Sequence, residues 1–350
     1  MRAVVVEQTG GPEVLHVVEQ SSPSPQAGQV RVAVEASGVN FIDVYQRTGA
    51  YPKPLPFLVG SEGAGTVLEV GDGVSEVSVG DRVAWAMVDG GGYAEEVVVP
   101  VDRVVSVPDG VDLADAAAVM LQGMTAHYLC ESTFRAGPEH TALVHAAAGG
   151  VGLLLTQMLN AKGTRIIATT STAQKAALAR VAGADDVVLY TETDLVTEVD
   201  RITEGRGVAV VDDVDAGLTL LRPRGMMVLY GASSGPVPPV DPQLLNQRGS
   251  LFLTRPTLAH YIADREELVA RASAVLGQVA DGSLDVRIGG RYPLAEAGRA
   301  HEDLEGRRTT GKLLVVPESR SGRLTLPRRR GSRRSPRPGR PCRPRAGTTP

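Results

Sequence analysis

The segment that most constrains the fold is a short apolar run that leads directly into a glycine-rich turn and a helix. Residues 141–146 read TALVHA, residues 147–152 read AAGGVG, and LLLTQMLNAKG follows. A turn of this kind between strand and helix lets the backbone approach a pyrophosphate at Gly149, while the helix N-terminus offers N–H groups and the positive end of a dipole. Gly152 permits close packing of helix on strand. The segment predicts a dinucleotide-binding unit, with a merely tight turn as the alternative.

From Thr141 onward, apolar runs alternate with amphipathic helices. Near-continuous apolar strands separated by helices are typical of a parallel sheet that is covered on both faces and wound right-handedly. The predicted strands begin at Thr141, Arg165, Asp186, Val208, Gly225 and Ser250. We therefore expect an α/β protein that contains a Rossmann doubly wound parallel sheet.

The first third of the chain has a different pattern. The runs QVRVAVEASGV, GAGTVLEVG, DRVAWAM and YAEEVVVP are β-branched and are separated by glycine, proline and aspartate turns. After Leu113 the sequence favours a helix, and near the end DVRIGGRY and GKLLVVP again predict strands. We expect a β-rich domain formed by residues 1–122 and 256–317, with a Rossmann domain at residues 123–255 inserted in it.

The charge distribution separates the end of the chain from the rest. The 350 residues include 36 Lys and Arg and 40 Asp and Glu, but residues 318–350 hold 11 of the basic residues and one acidic residue. The acidic body offers no broad basic face for nucleic acid, and the arginine- and proline-rich tail is predicted to be disordered. A polyanion-binding tail and translation in an unintended reading frame are alternative explanations of this composition.

Cysteine, histidine and apolar content exclude several classes of protein. Cys130 and Cys342 are too few for a disulfide framework, and the six histidines show no spacing typical of a zinc site. No apolar run approaches the length of about 18 residues that a membrane helix needs, and the start has no signal-peptide pattern. We expect a cytoplasmic protein without a metal or a membrane partner.

The end of the second Rossmann strand indicates which dinucleotide the chain binds. Residues 169–172 read TTST, where NAD enzymes usually place a carboxylate on the ribose, and Lys175 follows. The hydroxyl groups of Thr170 and Ser171 beside a cation suit the 2'-phosphate of NADPH. We expect NADPH as the cofactor. In the alternative interpretation, Ser171 or Thr172 only caps the next helix, a role that is compatible with NADPH binding.

A competing motif occurs at residues 231–235, where GASSG matches the G-x-S-x-G elbow of hydrolases. That elbow requires a helix immediately after the serine. Pro236, Pro238 and Pro239 oppose a helix at this point. Hydrolase function is therefore disfavoured.

Nine segments resemble the zinc-free quinone oxidoreductase branch of the medium-chain dehydrogenase/reductase superfamily, which is zeta-crystallin-like. They are GGPEVL, GVNFIDVYQRTGAYP, LVGSEGAGTV, VGDRVAW, HAAAGGVG, TSTAQK, LRPRGMMVLYGASSG, GSLFLTRP and GRRTTGKLL. The resemblance spans residues 1–317 and implies a Rossmann domain inserted in a GroES-like catalytic domain. Zinc-dependent relatives carry a ligand cysteine and a ligand histidine where this chain has Asn40 and Ser61, so the resemblance agrees with a metal-free site.

The resemblance also implies the residues of a site. They are Asn40, Asp43 and Tyr45 at the nicotinamide and its ribose, Gly149, Gly150 and Val151 at the pyrophosphate, Lys175, Tyr190 and Arg307 at the 2'-phosphate, Ser233 along the cofactor, and Tyr51 and Arg255 at the substrate cleft. Asn40 and Tyr45 are the candidate donors to a developing oxyanion. For Tyr45 and Tyr51 the alternative is aromatic packing, and for Arg255 it is an interdomain ion pair.

One connection departs from the family pattern. Only the 14 residues DDVDAGLTLLRPRG separate Val211 from Met226. This stretch is shorter than its counterpart in relatives and lacks their glycine-containing loop, which contacts the nicotinamide. We therefore expect reduced cofactor affinity or activity.

Three functions remain open at this point. The resemblance favours NADPH-dependent reduction of a quinone, and the same cleft and cofactor suit an enone or alkenal reductase that acts on a conjugated carbonyl. A cofactor-binding regulator or nucleic-acid-associated protein is the alternative of another class, suggested by the short connection and the basic tail. The strand SLFLTR, from Ser250, is expected to pair at a sheet edge in a homodimer, as in relatives.

Overall fold

The computed structural model describes residues 1–211, 217–231 and 239–318. The predictions for the basic tail beyond Glu318 and for Ser233 lie outside these residues, and those for the connection after Val211 and for the GASSG motif lie partly outside them. Among the described helices, none is long and apolar enough to cross a membrane.

Strands and helices alternate as the apolar patterns predict over most of the described chain. The strands are β1 (Arg2–Val6), β2 (Leu15–Glu19), β3 (Gln29–Val39), β4 (Phe57–Leu58), β5 (Glu62–Val70), β6 (Arg82–Ala86), β7 (Glu96–Pro100), β8 (Val105–Ser106), β9 (Thr141–Val144), β10 (Arg165–Thr170), β11 (Asp186–Leu189), β12 (Val208–Val211), β13 (Leu221–Val228), β14 (Phe252–Thr254), β15 (Ile288–Pro293) and β16 (Lys312–Val316). The helices are α1 (Phe41–Thr48), α2 (Leu113–Tyr128), α3 (Gly150–Ala161), α4 (Ala173–Val181), α5 (Leu195–Thr203), α6 (Gly217–Leu220), α7 (Pro242–Gln247), α8 (Leu258–Tyr261), α9 (Arg265–Ala280) and α10 (Ala297–Glu305).

The β-rich part contains two sheets. A larger sheet has the order β15-β16-β3-β5-β6-β8, and β7 also pairs with β3, while a small sheet has the order β2-β1-β4. Side chains of β3 alternate between buried and partly exposed from Val30 to Glu35 and are then buried as far as Val39, because the strand continues into the interior beside the candidate site. β16 lies antiparallel to β3, so the end of the described chain rejoins the sheet that the start builds.

The Rossmann sheet is parallel throughout and has the order β11-β10-β9-β12-β13-β14. The chain therefore starts at the centre of the sheet and winds outward in both directions, which places a switch point between β9 and β12. In sheets of this kind, ligands bind at the carboxyl ends of the strands next to the switch point. The predicted fold class, a Rossmann sheet inserted in a GroES-like β-rich domain, is confirmed.

Helix α2 packs on both parts of the molecule. It contacts β3, β5 and β6 on one side and α3 and α9 on the other. Its alanines and methionines lie in one buried cluster together with Ala64 of β5 and Val144 of β9. The domain boundary expected at residue 122 falls inside this helix, and the two cores are continuous across it.

The connection between β12 and β13 is described only in part. Its described part is the single turn α6, and β13 begins at Leu221 rather than at the predicted Gly225. Val208 pairs with Leu221 and Val210 with Met226, so four residues of β13 form an irregularity opposite one residue of β12. Arg224, with φ of 60°, lies within it.

Candidate active site

The glycine-rich turn presents an uncapped helix N-terminus at the carboxyl end of β9. Gly149 is the N-cap of α3, and no side chain caps the helix. A Cβ at Gly152 would lie 2.5 Å from the carbonyl oxygen of Ala146, whereas a Cβ at Gly149 would meet only that oxygen, at 3.1 Å. Gly152 therefore allows the helix to pack closely on the strand, and Gly149 is less crowded, beside N–H groups of the first turn that suit a pyrophosphate.

A cation and hydroxyl groups gather at the carboxyl end of β10. The Lys175 ammonium lies 2.7 Å from the carbonyl oxygen of Arg307 and 3.5 Å from Ser171 Oγ. Thr170 Oγ1 is buried without a hydrogen-bond partner among the described residues. Tyr190 is 45% exposed, and its N–H donates to the Thr170 carbonyl. The predicted 2'-phosphate residues are thus neighbours, and this donor set fits a phosphorylated ribose.

The helix-cap interpretation of the same segment is also correct. Thr172 is the N-cap of α4, and its hydroxyl accepts a hydrogen bond from the Lys175 N–H at 3.3 Å. Capping fixes the start of α4 and therefore the position of the Lys175 side chain. The capping role of Thr172 is therefore compatible with the predicted role of this segment at the 2'-phosphate.

Aromatic side chains of the β-rich part meet an arginine of the Rossmann sheet where the substrate cleft is predicted. The rings of Tyr45 and Tyr51 lie 5.0 Å apart, and those of Phe41 and Tyr45 lie 6.0 Å apart. Arg255, just after β14, donates to the Tyr51 hydroxyl at 3.4 Å and to the Gly231 carbonyl at 3.3 Å. Among the described residues, Arg255 thus joins the two parts through neutral oxygens, and the ion pair of the alternative interpretation is not found there.

Asn40 lies at the start of α1 in a buried polar cluster with Glu62, Lys312 and Gln122. Its Nδ2 donates to Glu62 Oε1 at 2.7 Å and to the Gly38 carbonyl at 3.3 Å. Its Oδ1 accepts from Lys312 Nζ at 2.7 Å and from Gln122 Nε2 at 3.2 Å. Lys312 Nζ also donates to Glu62 Oε1 at 2.5 Å. Protein groups therefore engage both amide hydrogens of Asn40.

Asp43 lies behind Asn40, away from the cleft surface, and is fully buried. Its carboxylate accepts from the Asn40 N–H and the Ser61 hydroxyl, each at 2.9 Å, and from the Tyr93 hydroxyl at 3.4 Å. Burial raises the pKa of Asp43 to about 6, against the opposing effect of the Ser61 and Asn40 hydrogen bonds. The resemblance implies that Asp43 lies beside the nicotinamide and its ribose. A fully buried carboxylate with these partners does not support direct contact with a ribose, and Asp43 instead fixes the start of α1.

A second buried chain continues from Asp43 to the surface. The Tyr93 hydroxyl lies 3.1 Å from His301 Nε2, and His301 Nδ1 lies 3.3 Å from Arg47 Nη1. Arg47 forms two hydrogen bonds of 2.9 Å with Glu305. Burial, aided by the Arg47 charge, lowers the pKa of His301 to about 3, and burial raises the pKa of Tyr93.

The most important residues that sequence reasoning missed are Glu62 and Lys312. Both are buried, with exposed fractions of 0% and 2%. Charged residues are rarely buried unless they are paired, so Glu62 in SEGAGTV and Lys312 in GKLLVV, inside apolar strands, were the available signal. Burial lowers the pKa of Lys312, although the Glu62 charge opposes this shift.

The positions expected for zinc ligands have other roles here. Asn40 and Ser61 direct their side chains to the carboxylates of Glu62 and Asp43. Over the described ranges, no group of three or more His, Cys, Asp or Glu side chains is arranged to hold a metal ion.

The inserted Rossmann sheet, the GroES-like sheets and the uncapped glycine-rich turn define a medium-chain dehydrogenase/reductase. A family profile for the alcohol dehydrogenase GroES-like domain matches residues 26–109, and one described as zinc-binding dehydrogenase matches residues 150–274. The chain is 43% identical over 315 residues to a quinone oxidoreductase of Pseudomonas aeruginosa, covering 88% of this chain and 97% of that protein.

Two further proteins are similar over almost their whole length. A 2-haloacrylate reductase of a Burkholderia species is 39% identical over 331 residues, which cover 91% of this chain and 99% of that protein. The structure of Escherichia coli quinone oxidoreductase complexed with NADPH superposes with a TM-score of 0.88 at 41% identity, covering 91% of this chain and all of that one. The chain belongs to the quinone oxidoreductase family.

Proposed function

We propose that the protein reduces quinones with NADPH and without a metal ion. One observation carries this proposal: the carboxyl edge of the parallel sheet brings together the glycine-rich turn, the Lys175 cluster, and Arg255 in contact with Tyr51 of the β-rich part. A dinucleotide-binding surface therefore faces an aromatic cleft. The Pseudomonas aeruginosa and Escherichia coli relatives, which are named quinone oxidoreductases, support the substrate class.

The residues of this chain bind and orient the cofactor and the substrate and exclude water from them, while bound NADPH supplies the hydride. Tyr45 and Tyr51 offer aromatic faces to a flat substrate ring, and Arg255 restrains the Tyr51 hydroxyl. Tyr45 and Asn40 are the candidate donors to the developing oxyanion; in this structure Asn40 Nδ2 donates to Glu62 Oε1 and to the Gly38 carbonyl.

Metal-free chemistry and a cytoplasmic location are part of the same proposal. Hydrogen bonds to buried carboxylates occupy Asn40 and Ser61, which stand at the positions where zinc-dependent relatives carry ligands. Cys130 is a buried free thiol, which agrees with a reducing compartment.

We also propose a homodimer that forms along β14. This strand lies at the end of the parallel sheet, and its outward residues Phe252 and Leu253 are 56% and 36% exposed. Leu244 of the preceding helix α7 is also exposed. An apolar sheet edge of this kind is stabilised by pairing with a second copy.

Titration with NADPH and NADH, together with NADPH oxidation in the presence of benzoquinone, tests the proposed function. Lys175→Ala removes a cation from the 2'-phosphate site, and charge-assisted hydrogen bonds contribute about 1.5–3 kcal/mol. We expect the Kd for NADPH to rise roughly tenfold to hundredfold, while the Kd for NADH stays unchanged. Lys162→Ala, at the far end of α3 in an exposed pair with Glu131, is the control. Folded protein with neither NADPH binding nor quinone turnover contradicts the proposal.

Reduction of an activated carbon–carbon double bond is the second candidate, favoured by the similarity to the Burkholderia 2-haloacrylate reductase. The same cleft and cofactor serve both reactions. Comparing kcat/KM for benzoquinone with kcat/KM for a 2-haloacrylate and a simple enone separates them, because the better substrate identifies the transition state that the cleft stabilises.

A further inference from the structure

The ion pair of Lys312 and Glu62 lies directly behind Asn40 and is almost completely buried. Lys312 is 2% exposed and Glu62 is not exposed. Each oxygen of the Glu62 carboxylate is used: Oε1 accepts from Lys312 and Asn40, and Oε2 accepts from the Leu121 N–H of α2 at 2.6 Å. Replacing such a pair by apolar residues is often neutral or stabilising, so a buried ion pair is poorly explained by stability alone.

This pair determines the orientation of the Asn40 side-chain amide. An ammonium only donates hydrogen bonds and a carboxylate only accepts them. Lys312 therefore requires Oδ1 on its side, and Glu62 requires Nδ2 on the other side. A flipped amide would place its NH2 group against the ammonium and its oxygen against the carboxylate.

The same pair is tied to the glycine-rich turn. The N–H of Gly311, next to Lys312, donates to the Ala148 carbonyl at 3.0 Å, and Gly311 forms a parallel bridge with Gly149. On the other side of Asn40, the Gln122 side chain packs on Gly150 so closely that a Cβ there would overlap Gln122 Oε1. Of the two neighbours of Asn40 Oδ1, Gln122 therefore contacts the glycine-rich turn directly, and Lys312 is joined to the turn through the adjacent Gly311.

We propose that Lys312 and Glu62 are positioning residues for hydride transfer: they hold the Asn40 amide and the glycine-rich turn in a fixed relation across the cleft. This role deepens the proposed function and rests on it. The family resemblance places Asn40 at the nicotinamide and a different set of residues at the 2'-phosphate, so we expect the ion pair to affect geometry at the nicotinamide more than total affinity. A displacement of about 1 Å at a reacting centre costs roughly a hundredfold in rate.

A double variant separates positioning from structural support. Lys312→Met alone leaves the Glu62 charge buried and unpaired, which is destabilising. Lys312→Met/Glu62→Gln removes both charges with little change in volume. Lys162→Met/Glu131→Gln removes an exposed pair and is the matched control. Lys312→Arg keeps a cation at this position, so we expect its kcat to lie between those of the double variant and the wild type.

We expect the double variant to unfold at a urea concentration close to that of the wild type and to bind NADPH with a Kd within about threefold. Its kcat with benzoquinone should fall at least about tenfold, and the isotope effect with NADPH deuterated at C4 should rise, because positioning affects hydride transfer itself. Fluorescence of bound NADPH should shift in the double variant and stay unchanged in the control.

Two results overturn the positioning role. One is a double variant with the kcat and the bound-NADPH fluorescence of the wild type. The other is a fall in kcat that is fully matched by a rise in the Kd for NADPH. Lack of quinone turnover by the wild type contradicts the proposed function instead, and the fluorescence comparison then still tests the positioning of the nicotinamide.

Discussion

Two buried titratable residues on either side of Tyr93 respond to pH in opposite directions. Asp43, with its pKa raised to about 6, takes up a proton more readily in the folded state than when unfolded. His301, with its pKa lowered to about 3, resists protonation in the folded state. Stability that Asp43 contributes is therefore lost as pH rises through about 4 to 6, and stability that His301 contributes is lost as pH falls from about 6.5 to about 3.

His301→Gln isolates the second effect, since glutamine keeps hydrogen-bonding groups between Tyr93 and Arg47. A wild-type unfolded chain protonates His301 near pH 6.5 while the folded chain does not, which costs about 2 kcal/mol of stability between pH 7 and pH 5. In urea titrations, we expect the free energy of unfolding of His301→Gln to fall by about 2 kcal/mol less than that of the wild type between pH 7 and pH 5. The exposed His16→Gln should behave as the wild type. Equal losses in His301→Gln and wild type would show that His301 is charged in the fold.

Residue types predicted part of the site. Lys175 and Ser171 were found because the 2'-phosphate needs cations and hydroxyl groups, whereas Arg307 came from the family resemblance, and the structure makes the three neighbours. Glu62 and Lys312 were missed because they are 250 positions apart, and no local spacing links them. The predicted site residues as a set, and the role of each in catalysis, stay predictions that the proposed experiments test.

At the level of elements, hydrophobic periodicity located the Rossmann strands and failed where turn geometry took over. β9 ends at Val144 rather than at Ala146, because Ala146 has a φ of 47° and already belongs to the turn. β13 begins four residues earlier than predicted because its first residue pairs with β12 ahead of an irregular stretch. Apolar runs report burial, and they do not report where hydrogen-bonded pairing begins.

The two outer glycines of the turn make a matched pair of variants. Gly152→Ala would place a Cβ 2.5 Å from the Ala146 carbonyl oxygen, and overpacking of this kind costs roughly 1–3 kcal/mol. Gly149→Ala has an ordinary φ of −78°, and its Cβ would lie 3.1 Å from the same oxygen, so a shift of a few tenths of an ångström relieves the contact and stability should fall less than in Gly152→Ala. Its methyl group faces the region of the pyrophosphate, so we expect the Kd for NADPH to rise at least about tenfold. Urea unfolding measures the loss of stability, and NADPH titration measures the rise in Kd. A larger loss of stability in Gly149→Ala together with a larger rise in Kd in Gly152→Ala would refute these assignments.

For the whole molecule, β14 predicts how copies associate. Phe252→Lys places a charge on the exposed apolar edge, and charged side chains on edge strands oppose pairing. In sedimentation we expect the wild type at twice the monomer mass and the variant at the monomer mass. Val181→Lys, at an isolated and 89% exposed position, is the control. A wild type that sediments as a monomer, or a dimer that survives Phe252→Lys, rules out this interface.

The bridge between Gly149 and Gly311 has a consequence for how the protein folds. The Rossmann strands pair with strands nearer in sequence, whereas the pairing of β3 with β16 joins segments some 270 residues apart. Contacts between such distant segments form slowly, and the N-terminal parts of a chain are synthesised first. The pyrophosphate turn is thus made well before Gly311 and Lys312 reach it. Only a chain synthesised through β16 can form the bridge between Gly149 and Gly311 and the ion pair between Glu62 and Lys312, so we expect NADPH to bind in its final geometry only after that point.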